Sequence, residues 1–167
     1  MGKHIHIIVC IARNGAIGKA GGLLYRLRDD MKRFKELTTG HTVLMGRRTF
    51  ESLPKGALPQ RRNIVLTSEN RGWPETEVFH SMEEALAHCG EEEVFVIGGS
   101  SVYWEALPMA QTLYLTEVDD LPEDADTFFP KINREEWKET ARESHEADER
   151  NEKPFCFITL ERRTGLQ

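Results

Sequence analysis

Short apolar runs alternate along this chain with segments whose apolar residues recur every three or four positions, and that rhythm predicts most of the architecture. Residues 4–12, 42–45, 63–66, 93–97 and 112–118 have the length and composition of buried strands. Helical patterns lie between several of them, at residues 28–38, 47–53, 81–89 and 101–107. Ser81 is placed to cap the third helix, with Glu84 at the capping-box position. Strand alternating with helix predicts an α/β fold, a mostly parallel sheet covered by helices. The C-terminal part departs from the rhythm. Residues 137–145 and 155–162 are two extended stretches joined by the polar segment 146–154, which predicts an antiparallel hairpin at the sheet edge.

Composition narrows the picture. A chain of 167 residues with 39% hydrophobic content can bury one sizeable core but hardly two, so residues 1–167 are expected to form a single domain. A net charge of -6 argues against a nucleic-acid partner, and any anionic ligand must be held by local cations. Cys10, Cys89 and Cys156 are odd in number and widely spaced, as expected of reduced thiols in a cytoplasmic protein. The apolar run from Ile5 to Ala12 is too short to cross a bilayer and reads as a first buried strand, so no membrane association is expected. No protein partner is evident, and a monomer is expected.

Four segments carry candidate chemistry. In the helix at 28–38, Leu27, Met31, Phe34 and Leu37 form an apolar stripe at three-and-four spacing, and Asp30 falls within it, while Asp29 turns to the polar side with Glu36. A carboxylate directed at apolar surroundings needs a partner, and burial disfavours its charged form, which suits a residue that binds a cationic heterocycle or manages a proton. An N-terminal-turn acid that merely favours the helix dipole is the plainer alternative. The passage Val43 to Thr49 runs from a strand through Gly46 into a helix headed by Arg47 and Arg48, a pattern suited to an anion. Val94 to Tyr103 does the same through Gly98 and Gly99, where missing side chains let a ligand lie on the backbone. Two such turns can bracket a dinucleotide pyrophosphate, although neither is the Gly-x-Gly-x-x-Gly fingerprint nor a Walker loop.

Thr67 and Ser68 end a strand with two hydroxyls, where ligands commonly meet an open parallel sheet, and beside Arg47 and Arg48 they would suit an extra phosphate. The stretch from Asn14 to Gly22 carries four glycines and looks like a mobile lid. His4 and His6 share one side of a strand with no third ligand nearby in sequence, so an exposed strand edge is expected there and no metal site. Trp73, Trp104 and Trp137 are scattered and read as core or rim packing.

In this order the segments resemble dihydrofolate reductase in its bacterial chromosomal form, from Ile5 to about Arg163. The resemblance is carried by Ala16-Ile17-Gly18, Leu27 through Asp30 to Phe34, Met45 through Leu53, Arg61-Arg62-Asn63, Ile97-Gly98-Gly99, Tyr114-Leu115-Thr116 and Asp126 through Pro130. It implies a central, mostly parallel eight-stranded sheet and the transfer of a hydride from NADPH to dihydrofolate. It also implies antifolate small molecules as ligands. Asp30 would be the acid of the pterin pocket with Thr116 behind it, and Met31, Phe34, Leu53 and Leu58 would pack on the pterin and aminobenzoyl rings. Arg61 would grip the glutamate tail. Arg47, Arg48, Thr67 and Ser68 would surround the adenosine phosphates, with Gly46 at the turn before them. Thr49, Gly98, Gly99, Ser100, Ser101 and Val102 would line the pyrophosphate, Tyr103, Ile17 and the strand backbone around Cys10 would flank the nicotinamide, and Ile97 would also meet the cofactor.

The chain departs from the family's habit at Tyr25, where a water-holding Trp is common, and at Arg28, Leu24, Ser100 and Cys10. None of these removes a required chemical group, and Tyr25 and Tyr103 join Asp30 as candidate catalytic residues. Two other readings remain open at this level. One is a riboflavin-pathway reductase of similar fold, against which Asp30 and Arg61 weigh; the other is a silent nucleotide-binding domain, which would have no reason to place an acid on the pocket face.

Overall fold

The first apolar run becomes a central strand, which explains why it carries so little polar relief. The computed structural model describes residues 4–19, 22–23, 25, 27–149 and 151–163. In chain order the elements are β1 (His4–Ala12), β2 (Ala16–Lys19), β3 (Gly22–Leu23), α1 (Arg28–Thr38), β4 (Thr42–Gly46) and α2 (Arg47–Glu51). There follow β5 (Arg62–Leu66), β6 (Thr76–Phe79), α3 (Met82–Ala87), β7 (Glu93–Gly98), α4 (Ser100–Ala106) and β8 (Thr112–Val118). The last are β9 (Thr127–Phe128), β10 (Trp137–His145) and β11 (Phe155–Arg162).

Eight strands form one sheet in the order β10-β11-β8-β1-β7-β4-β5-β6. β1 runs parallel to both neighbours, with His6 opposite Phe95 on β7 and Cys10 opposite Thr116 on β8. β8 also pairs antiparallel with β11, and β10 closes that edge as the second arm of the expected hairpin. β10 is exposed along most of its length and rich in charge, which protects an edge from pairing with another chain. At the opposite edge β6 supplies a strand that the apolar pattern did not reveal: Thr76–Phe79 alternates weakly and is only half-buried.

Alternation within the strands sorts the core into two layers. Ile5, Ile7, Val9, Val94, Val96, Leu113 and Leu115 point to the face covered by Met82 and Ala85 of α3 and by Val102, Tyr103 and Ala106 of α4. Val43, Met45, Val65 and Phe95 point to the other face, where Phe50 of α2 and Leu37 of α1 meet them. Each fully buried aliphatic side chain contributes about 1.5–3 kcal/mol.

Ser81 does cap α3, accepting a hydrogen bond from the Glu84 amide at 3.0 Å, while the Glu84 carboxylate returns to His80 rather than to Ser81 itself. The structure corrects two sequence expectations. His4 and His6 are not on a sheet edge: β1 is central, His6 is buried, and its Nε2 lies 2.5 Å from Glu93 Oε1. Trp104 is 60% exposed rather than packed, whereas Trp137 is buried and Trp73 lies on Phe50. Met31 is 56% exposed, so the stripe on α1 is covered by protein only at its flanks.

Candidate active site

α1 begins without a capping side chain of its own, because Leu27 is its N-cap. The buried Asn151, far along the chain, accepts the Asp29 amide at 3.1 Å instead. This anchors the first turn of α1 over β1 and β8. Thr116 Oγ1 donates to Asp30 Oδ1 at 2.5 Å, and Cys10, the register partner of Thr116, belongs to the adjoining wall with Leu27 and Tyr25. Burial pushes the Asp30 carboxyl above the usual carboxylate range, and the Thr116 hydrogen bond, the Arg33 charge and the Cys10 thiol offset part of that rise. Burial and the Asp30 charge push the Cys10 thiol upward in turn, so it is a donor and not a nucleophile here. A buried carboxylate of this kind can accept a paired donor edge from a ligand.

Leu53 and Leu58 pack with Leu37 on the Val43–Met45–Phe50 cluster, and Phe34 is half-buried one turn above Asp30. The loop that carries Leu58 is held by Asn63, whose side chain accepts from the Leu58 amide at 2.8 Å and donates to the Leu58 and Arg61 carbonyls. Arg61 reaches back to α1, donating to Thr38 Oγ1 at 3.1 Å. Along α1 these contacts lead from Asp30 in the first turn to the half-buried Arg61 guanidinium at Thr38, the last residue of the helix.

At the carboxyl ends of β4 and β7 the two glycine turns come together, as their sequence pattern suggested. A Cβ placed on Gly98 would lie 3.0 Å from Thr49 Oγ1 and 3.6 Å from the Tyr103 hydroxyl. One on Gly99 would lie 3.3 Å from Thr49 Oγ1, and one on Gly46 3.2 Å from Val102 Cγ2. Gly98 also has φ +135°, a conformation that L side chains rarely adopt. The β4–β7 register slips just before it, so Ile97 bulges from the ladder beside the turn. Tyr103 is buried and donates to the Ile8 carbonyl at 2.9 Å, tying α4 to β1. Thr49, Val102 and Tyr103 close on these glycines and keep the turns bare of side chains, and bare backbone of this kind fits a dinucleotide.

The predicted cationic corner is more crowded than the sequence suggested. Arg47 pairs with Glu51 at 3.0 Å and lies 3.7 Å from Glu69, and Arg71, which sequence reasoning missed, joins both acids. Arg48 and Ser68 are exposed, and the Thr67 hydroxyl accepts the Glu69 amide at 3.1 Å. Ser100 and Ser101 head α4, and Ile17 is buried in β2.

The glycine-rich segment is not a bare loop where it is described. β2 pairs with β3 and β9, and Gly18 accepts the Asp126 amide at 3.1 Å; Ala20, Gly21 and Leu24 lie outside the described residues. The Tyr25 hydroxyl donates to Asp120 at 2.6 Å, not to Asp30. Among the described residues no cluster of three or more His, Cys, Asp or Glu could hold a metal, and no helix is long and apolar enough to cross a membrane.

A mostly parallel sheet with a half-buried acid against its central strands and two bare glycine turns at the carboxyl ends of β4 and β7 defines a nucleotide-dependent α/β enzyme. The comparisons narrow this class. The chain belongs to the dihydrofolate reductase family, whose model matches residues 4–162. It is 38% identical over 160 residues to dihydrofolate reductase of Staphylococcus haemolyticus, covering 95% of each chain. It is 42% identical to dihydrofolate reductase type 3 of Salmonella typhimurium, covering 95% of this chain and 98% of that one. Among solved structures, dihydrofolate reductase from Enterococcus faecalis, complexed with NADP(H) and RAB-propyl, superposes with a TM-score of 0.86 at 38% identity, covering 96% of both chains.

Proposed function

We propose that this chain reduces 7,8-dihydrofolate to 5,6,7,8-tetrahydrofolate with NADPH, and so supplies one-carbon metabolism and thymidylate synthesis. The observation that carries the reading is Asp30, a half-buried carboxylate in the first turn of α1 that accepts the Thr116 hydroxyl and is pushed above the usual carboxylate range by burial. Family membership and the relative complexed with NADP(H) support the cofactor. Bound in the glycine cradle, NADPH supplies the hydride.

The protein's own part is to hold, orient and control a proton. The Asp30 carboxylate accepts from the 2-amino group and N3 of the pterin, which orients C6. Its charge favours protonation at N5, and the proton arrives through water because that edge of the ring lies away from the acid. Met31, exposed on α1, and Phe34, Leu53 and Leu58 cover the rings, a role that accounts for an uncovered methionine on an apolar stripe. Arg61 receives the tail carboxylate. Cys10, Ile17, Ile97 and Tyr103 flank the nicotinamide, while Gly46, Thr49, Gly98, Gly99, Ser100, Ser101 and Val102 line the pyrophosphate. Arg47, Arg48, Thr67 and Ser68 meet the remaining phosphates, and Tyr25 shapes the wall beside Cys10. Diaminopyrimidine antifolates bind as cations at Asp30. The thiols of Cys10 and Cys156, outside any disulfide, fit a protein working in the reducing cytoplasm, where it acts as a monomer.

An absorbance assay following NADPH oxidation tests the reading. Oxidation that depends on dihydrofolate is expected; a folded protein that oxidises no NADPH when dihydrofolate is added would sink it.

A further inference from the structure

Arg33 follows Asp30 by three residues on α1, and so lies on the same side of the helix one turn on. Its guanidinium is half-buried, 4.4 Å from the Phe157 ring centroid and 5.6 Å from that of Tyr114. Long hydrogen bonds hold its two terminal nitrogens, one to the Leu115 carbonyl at 3.4 Å and one to Thr159 Oγ1 at 3.5 Å. Leu115 is the neighbour of Thr116, the residue that donates to Asp30. Yet among the described residues no ion pair joins Arg33 to Asp30 within 4.0 Å.

We propose that Arg33 is a positioning residue for the pocket acid: clamped between β8 and β11, it supplies a fixed positive field that favours the ionised form of Asp30 while leaving the carboxylate free for its ligand. A guanidinium in direct contact would occupy the carboxylate oxygens with its own donors; one held by Phe157, Tyr114, Leu115 and Thr159 cannot. Arg33 and the Tyr114, Phe157 and Thr159 side chains around it are half-buried, so water screens the field only in part. The groups that face Asp30 are Cys10 from β1, Thr116 from β8, and Tyr103 from α4. Those that face Arg33 are Asp30, Tyr114 of β8 and Glu143 of β10. Arg33 is the one cation acting on Asp30 in this set, and it partly offsets the rise that burial imposes. The inference rests on Asp30 being the pterin-facing acid.

The test is a pH titration of the Asp30 carboxyl by carbon-13 NMR in the full chain, its signal assigned by its loss in Asp30→Asn. Arg33→Met should raise the proton affinity of Asp30 by about threefold to tenfold, and Arg33→Lys should stay near the parent. A change under twofold in Arg33→Met, or an equal change in Arg33→Lys, overturns the proposal. Should Arg33→Met fail to fold, Arg33→Gln removes the same charge with a polar end. The pH profile of dihydrofolate reduction should move with the titration in the same variant. If the titration moves and the profile does not, the coupling stands and it is the assignment of Asp30 to the pterin that falls.

Discussion

Asp30 and Glu92 are built from the same parts and end in opposite states. Each is a carboxylate at the margin of the sheet, and each accepts a hydrogen bond from a buried threonine, Thr116 on β8 for Asp30 and Thr42 on β4 for Glu92. Glu92, at the amino ends of β4 and β5, also receives Arg62 Nη1 at 3.0 Å on both oxygens, and Arg62 holds Glu77 in addition. Burial would raise Glu92, but Thr42 and Arg62 together carry it below the usual glutamate range. Asp30 has the threonine without the contacting cation, and burial leaves it above the usual range. Charges at the amino ends of the strands are closed into pairs, which serves stability. The acid near the carboxyl ends is left open, which serves a ligand at a cost in stability.

Removing each charge should separate the two roles, and the largest effect belongs to Asp30. Asp30→Asn is expected to lose roughly 10² to 10⁴ in hydride transfer at neutral pH, with partial rescue in acid and little change in NADPH affinity. Glu92→Gln should stay within about twofold, because it sits at the amino ends of β4 and β5, away from Asp30 and the glycine turns. Single-turnover measurements on the two variants decide this; near-normal turnover of a folded Asp30→Asn would erase the contrast.

A smaller effect concerns the cradle that completes the open end. Gly98→Ala places a Cβ 3.0 Å from Thr49 Oγ1 at φ +135°. It should cost about 1–3 kcal/mol in urea denaturation and weaken NADPH, whereas Gly90→Ala, where a Cβ meets nothing within 4 Å, should cost little. Equal costs at the two glycines would show that the turn is not tightly set.

Cofactor choice should differ by about tenfold or more in Kd, with NADPH ahead of NADH, because one charge-assisted contact is worth about 1.5–3 kcal/mol. Arg48, exposed, should carry more of that preference than Arg47, already engaged by Glu51. Arg48→Ala leaving the preference intact, measured by fluorescence titration, would move the extra phosphate elsewhere.

The smallest effects are on stability, and they have opposite signs. Glu92 has a depressed pKa in the folded state, so its contribution is present above the unfolded value near 4.3 and lost as pH falls through the folded one. Glu92→Gln should therefore cost about 0.5–1 kcal/mol at pH 7, a gap that closes in acid. Asp30 is raised, so the folded state holds its proton more tightly and stability falls as pH climbs from the unfolded value near 3.9 through the folded one. Asp30→Asn should melt no lower than the parent at pH 7, and relatively higher there than in acid. Melting curves across pH that move in the same direction for both variants would contradict the comparison.

What was legible in the sequence was what neighbours along the chain determine. The buried strands announced themselves because a strand covered on both faces has no polar side to show, and β1 and β7 are such strands. The glycine turns were visible because a backbone without side chains is written directly in the residues, and Asp30 stood out because a helix fixes which face a residue occupies. The strand Thr76–Phe79, half-buried at an edge, left too weak a pattern to find.

The tertiary structure alone decided what each charge meets. Leu27 offers no capping side chain to α1, and the cap comes from Asn151. Tyr25 gives its hydroxyl to Asp120, and Arg33 finds its clamp on β8 and β11, more than 80 residues away for Leu115 and more than 120 for Thr159. His6, placed on an edge by its polarity, is buried against Glu93 because β7 was inserted between β1 and β4. Periodicity reports which side of an element a residue takes; the strand order decides who waits there, and an ionisable group's charge state depends on that partner.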